Sequence, residues 1–181
     1  RILSSAASDV YKRQTFKTTK SVSFDATGNF AALLGYPPKD AKGKGADLRL
    51  VNLQTMQNIT FGNVDGHSWS EKGSLLAMTI MTGQDAGNGI QIYDAASTRL
   101  ISLHNSASKY TQLSWREDAT DLAALRSDSL ASKKGKAHTL LAWKNLARPG
   151  QAALATTIAS SDLPDSLILS ANRRPAWSDD G

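Results

Sequence analysis

Four stretches of the chain repeat one another: VSFDATGNFAALL from Val22, HSWSEKGSLLAMTI from His67, LSWREDATDLAALR from Leu113 and PAWSDDG from Pro175. Each sets an aromatic residue, Phe24, Trp69, Trp115 or Trp177, directly before a polar turn, at intervals of 45, 46 and 62 residues. The first two intervals match the length of one four-stranded propeller blade. This constrains the fold strongly, because such a unit cannot bury its own faces and must stack on neighbours.

Within the unit, an apolar, β-prone run ends in the aromatic residue. Asp25-Ala26-Thr27-Gly28 or Ser70-Glu71-Lys72-Gly73 then makes a tight turn, with Gly supplying the positive φ. A second strand follows over Phe30 to Leu34 or Leu75 to Ile80. After a Gly-rich loop comes a third, alternating with period two in ADLRLVNL from Ala46 or GIQIYDA from Gly89. A polar turn leads to the fourth, MQNITF from Met56 or RLISLH from Arg99. The predicted fold is all-β: a β-propeller fragment of about three four-stranded antiparallel blades over residues 20–65, 66–109 and 110–171, plus the start of a fourth over 172–181.

The third repeat departs from the pattern. Ala119 stands where the turn Gly belongs, so Glu117 to Thr120 must turn without the residue that adopts positive φ most freely. Its remaining strands are expected over Leu122 to Arg126, His138 to Trp143 and Ala152 to Ile158, and Ala159 to Arg174 reads as an insertion before the fourth anchor. A propeller ring needs roughly four to eight blades. Residues 15–181 are therefore expected to be a partial propeller, cut at both ends.

Residues 1–14 are set apart. Ser4 to Gln14, SSAASDVYKRQ, matches residue for residue one reading frame of the adaptor used in transposase-based sequencing libraries, and is expected to be a disordered artefact outside the fold. Of the formal net charge of +5, Arg1, Lys12 and Arg13 against Asp9 supply +2, leaving +3. That balance, with no interleaving of aromatic and basic residues along one element, argues against nucleic acid as a partner. With no cysteine, disulfide scaffolds, CxxC redox sites and thiolate zinc sites are excluded. No run approaches the eighteen or so consecutive apolar residues of a membrane span.

SWSEKGSLLAM and PAWSDDG resemble WD40-like repeats, a pattern shared by propellers of unrelated roles. The order of pieces is similar to something narrower. KGADLRLVNLQTMQNITFGNVDGHSWSEKGSLLAM followed by GNGIQIYDAASTRLISLHNSASKYTQLSWREDATDLAAL resembles the N-terminal propeller of bacterial prolyl-oligopeptidase-type (S9 family) serine peptidases, over nearly all of Lys20 to Gly181. The resemblance implies a propeller set over a C-terminal α/β-hydrolase domain of the same parent chain, restricting access to peptide substrates. It implies that the Ser, Asp and His of the triad lie in that domain, so no catalytic, cofactor-binding or metal residue is carried onto this chain. It also favours a periplasmic or secreted location, with the cytoplasm left open.

The residues themselves offer weak rivals. Gly66-His67-Ser68-Trp69-Ser70 comes near a nucleophile elbow, but Ser70 replaces the last Gly and no long helix follows, so it reads as strand. His67, His104 and His138 lie in or beside different predicted strands and lack the i, i+4 spacing of a helical metal pair. Gly43-Lys44-Gly45 and Gly87-Asn88-Gly89 lack the Gly-Lys-Ser/Thr of a phosphate loop and read as loop chemistry. The tryptophans, recurring at one strand position, read as packing between neighbouring units rather than as a stacking site for a ligand. Lys39, Lys42 and Lys44 with Lys133, Lys134 and Lys136 fall in equivalent loops on one face, which reads as solvated charge or as a docking face for the hydrolase domain or an acidic substrate.

Two functions therefore compete: a gating, non-catalytic propeller of a serine peptidase, and a stand-alone WD40-like binding or scaffold propeller of the periplasm. A propeller with an active site in its own tunnel comes third, because no acids or histidines converge at one strand position.

Overall fold

A computed structural model of the chain describes residues 18–40, 43–83, 87–129, 136–148, 153–164, 167 and 169–178. The adaptor-like residues 1–14 lie outside them. The described strands are β1 (Thr19–Phe24), β2 (Phe30–Gly35), β3 (Ala46–Asn52), β4 (Asn58–Trp69), β5 (Leu75–Ile80), β6 (Asn88–Asp94), β7 (Arg99–Ser106), β8 (Lys109–Trp115), β9 (Leu122–Ser129), β10 (Lys136–Lys144) and β11 (Ala153–Ala159). Among the described residues there is no α-helix, and none long and apolar enough to cross a membrane; one 3-10 turn spans Ser160–Asp162. Every described pairing between strands is antiparallel, so the chain is all-β.

The strands form a seven-stranded sheet in the order β1 to β7 and a four-stranded sheet in the order β11-β10-β9-β8. Among the described residues these close into neither a barrel nor a ring. The expected division between the first and second repeats falls inside one continuous strand. β4 pairs with β3 from Val51↔Asn58 to Ala46↔Val64 and with β5 from Val64↔Ile80 to Trp69↔Leu76, so that Val64 is shared, and its register against β5 shifts between Val64 and Gly66. The hand-over carries Asn63 at φ 58, which a short polar side chain tolerates well. Opposite it sits Gly45, where a β-carbon would overlap the backbone of Asn63, so close approach requires glycine there.

The apolar runs are dictated by which faces are covered. In β3, Ala46, Leu48 and Leu50 are buried while Asp47 and Arg49 are exposed, the alternation of a strand with one covered face. β5 is buried at all six positions. Leu76, Met78 and Ile80 join Ala32, Leu34, Leu48, Leu50 and Phe61 in one core, whereas Leu75 and Ala77 join Tyr110, Leu113, Trp115 and Leu122 in another. The second repeat is thus packed on both sides, and LLAMTI reads as a continuous apolar run for that reason. Each fully buried leucine of this kind contributes about 1.5–3 kcal/mol relative to exposure.

The three repeat turns close with the same hydrogen bond: Asp25 N–H to Phe30 O at 3.1 Å, Ser70 N–H to Leu75 O at 2.9 Å and Arg116 N–H to Asp121 O at 2.9 Å. Gly28 and Gly73 take φ of 71° and 76° as expected. In the third turn the left-handed position moves one residue towards the N-terminus, to Asp118 at φ 62, so Ala119 need not adopt it. β9 and β10 are longer than the sequence pattern suggests, running to Ser129 and from Lys136. Past the 3-10 turn, the segment leading to Trp177 lies along β8: Gln112 Nε2 donates to Ala171 O, and Ser114 Oγ donates to Pro175 O at 2.7 Å.

Candidate functional site

The second half of β4 and the facing strand β8 belong to different sheets and meet side by side. Lys109 Nζ lies 3.1 Å from Asp65 Oδ2, and the indole Nε1 of Trp115 donates to Ser68 O at 3.0 Å. Between them lies a cavity of about 210 Å³ lined by residues that include Asp65, His67, Ser68, Tyr110, Gln112 and Arg174. Both strands are irregular where they border it: pairing shifts between Val64 and Gly66 in β4, and between Thr111 and Ser114 in β8, where Gln112 takes φ 58. Irregularities of this kind re-aim side chains along an otherwise regular edge.

His67 is the titratable group that the sequence singles out within this groove. Its Nε2 is 2.9 Å from Ser23 Oγ of the first repeat, and burial holds its imidazole below the usual histidine range. The pair lacks the surroundings of a nucleophile site. Ser23 lies in edge strand β1, and no described carboxylate bonds the second ring nitrogen.

The near-elbow around Ser68 is strand and turn. Ser68 lies within β4, and its carbonyl is occupied by Trp115. Ser70 is buried, donating from Oγ to Lys72 O at 2.7 Å and accepting Leu75 N–H at 3.3 Å. A serine so placed closes a turn and is not presented to a substrate.

The other histidines are held apart on separate strands. His104 Nδ1 bonds Tyr110 OH at 2.6 Å with the two rings edge-to-face, and His138 Nδ1 bonds Ser127 Oγ at 3.0 Å. Burial lowers His104, helped by the nearby Arg126 charge and opposed by Asp128. Among the described residues no three His, Asp or Glu side chains come together as a metal could require. Gly43 and Gly87 take positive φ in their loops. Asn88 closes its loop by accepting Thr82 N–H at 2.9 Å and donating to Ala107 O at 3.2 Å.

Of the six lysines, Lys39 and Lys44 are exposed in the β2–β3 loop and Lys136 opens β10; Lys42, Lys133 and Lys134 lie outside the described residues.

The tryptophans make the most regular feature. Trp177 Nε1 donates to Ser114 O at 3.1 Å, repeating the Trp115–Ser68 bond one repeat later. In both, the acceptor is the residue directly before the preceding anchor. Trp69 packs on the core shared by the first two repeats, though its Nε1 has no partner among the described residues. Phe24, the non-tryptophan anchor, differs: it is 60 % exposed, and among the described residues none covers its face of the sheet.

Sequence reasoning missed two carboxylates, buried Asp25 and half-buried Asp128, each held by several donors. Asp25 is 5 % exposed and accepts bonds from Thr27, from Phe30 N–H and from Ser74 Oγ of the next repeat at 2.9 Å. Burial pushes its carboxyl up, but these donors outweigh it and the net displacement is downward. Asp128 behaves likewise, with Ser108, Arg126 Nη2 at 2.9 Å and Thr139 as donors. For Asp25 the signal available in the sequence was only its place one residue after an anchor, which turn chemistry already explained; Asp128 follows no anchor.

Comparison with known proteins finds no family model that matches the chain and no curated protein that matches it.

Proposed function

We propose that this chain is the non-catalytic propeller portion of a prolyl-oligopeptidase-like serine peptidase, where it restricts access of peptides to a hydrolase domain carried elsewhere in the parent protein. The observation that carries the propeller part is the repeated bond from a tryptophan indole to the backbone carbonyl before the previous anchor, at Trp115–Ser68 and Trp177–Ser114. One contact made twice at one strand position is what successive units of a stacked repeat array require. The double-sided burial of β5 supports the same reading, since a unit inside such an array is covered on both faces.

The peptidase part rests on the order of repeats along the sequence. In this reading the groove between β4 and β8 lies along the channel-facing strands, and its polar lining is solvated wall. Recovering the complete reading frame is the direct test. An extension of hydrolase length containing Gly-x-Ser-x-Gly, then Asp, then His, is expected. A frame that ends once its repeats are complete would contradict the peptidase part and leave a binding or scaffold propeller.

A further inference from the structure

The groove between β4 and β8 holds more than a wall wetted by water requires. Thr111 lines it, and its hydroxyl is shielded from solvent without a hydrogen-bond partner among the described residues. Hydroxyls so placed are costly to leave unsatisfied and nearly always have a partner. Arg174 lines the same cavity from the segment that follows the 3-10 turn, and the bonds from Gln112 to Ala171 and from Ser114 to Pro175 fix that segment on either side of it. The lining charges are unequal. Asp65 is matched by Lys109, whereas Arg174 is exposed and has no ion pair among the described residues.

We propose that this cavity is a carboxylate-binding site, in which the Arg174 guanidinium pairs with the anion and the Thr111 hydroxyl donates to it. The planar fork of an arginine meets both oxygens of a carboxylate through two parallel N–H bonds. Size sets the rest of the ligand. Sites that enclose whole small molecules measure about 300–1,000 Å³. At about 210 Å³ this one admits the end of a single residue. The ligand is therefore a carboxylate carried on one residue, either the C-terminal carboxylate of a peptide or the side chain of an Asp or Glu within it. That the residue arrives as part of a peptide rests on the gating reading; binding of the carboxylate by this chain does not.

The test is an NMR titration of the isotope-labelled full chain with three probes blocked at the amino end: N-acetylalanine, the α-amide of N-acetylaspartic acid, and N-acetylalanine amide. At least one of the two acids is expected to shift the Thr111 and Gln112 amide resonances saturably, the tighter of them identifying the source of the carboxylate. The neutral amide is expected to bind about tenfold more weakly or worse. Arg174→Gln should weaken the acid about tenfold and Thr111→Val about threefold or more, while Arg173→Gln, one residue away, should leave it unchanged. An unshifted Trp115 indole resonance in each variant shows that the fold is kept. The proposal is overturned if neither acid binds better than the amide, if Arg173→Gln weakens the acid as much as Arg174→Gln does, or if Thr111→Val binds it as the unaltered chain does. Inorganic phosphate binding tighter than both acids also overturns it, in favour of a phosphoryl group. None of these outcomes involves a hydrolase domain, so the peptidase reading stands or fails separately.

Discussion

Trp115 donates its indole N–H to the carbonyl oxygen of Ser68 across 3.0 Å, tying the four-stranded sheet to the second half of β4. The indole is buried and belongs to the core that also holds Leu75, Ala77, Ile90 and Ile92 of the larger sheet. Replacing it separates two contributions. Trp115→Phe keeps most of the apolar area and is expected to cost about 1–3 kcal/mol, from the lost bond and a carbonyl left without its donor. Trp115→Ala adds a cavity and is expected to cost about 3–5 kcal/mol. Urea unfolding followed by tryptophan fluorescence and circular dichroism checks both.

Phe24 occupies the same place in its repeat and is expected to behave differently. At 60 % exposure it is uncovered, so Phe24→Ser should change stability by no more than about 0.5 kcal/mol. Leu76→Ala, at a fully buried position, should cost about 2–5 kcal/mol in the same assay. Equal effects would show that Phe24 is covered in solution.

The turns provide a conformational test. Gly28 has open space where a β-carbon would go, so Gly28→Ala is expected to cost about 1–2 kcal/mol through its positive φ alone. In the third repeat Asp118, rather than Ala119, holds the left-handed position, so Ala119→Gly should bring no stabilisation. A gain there would place the positive φ at residue 119 after all.

The repeat period, the turns and the strand order could be read from the sequence because they depend on local chemistry: an aromatic residue, an Asx or Ser, a Gly and a β-rich run. Three features could not. The continuity of β4 depends on Asn63 and Gly45 meeting across the sheet, which no spacing of apolar residues encodes. The shift of positive φ to Asp118 follows from Ala119 being tolerated only outside that position. The roles of Asp25 and Asp128 arise from donors such as Ser74 and Ser108, which lie distant in sequence and become partners only after the strands pair. Among the candidate groups, His67 was singled out by its residue type, whereas its partner Ser23 was not.

The half-buried histidines His67 and His104 predict acid sensitivity. The folded protein favours neutral His67 and His104, so their folded-state values lie below the unfolded value of about 6.5. Their contribution is fully present above that pH and is lost as pH falls through 6.5 towards the lowered folded values. Asp25 and Asp128 are lowered as well, so they add a second loss that begins near the ordinary carboxylate range, about pH 4, and deepens below it. Urea midpoints measured from pH 8 to pH 3 should fall in two stages. His104→Gln, which keeps a polar side chain without titrating, should flatten the upper stage.

The most direct measurement on the central claim is covalent labelling of the parent protein with a fluorophosphonate probe, followed by mapping of the modified residue. A single labelled serine, C-terminal to residue 181, is expected, with none of the serines between residues 18 and 178 modified. A folded parent that takes up no label, or a label on Ser23, Ser68 or another serine of the repeats, would contradict the reading of this chain as the non-catalytic gate of a serine peptidase.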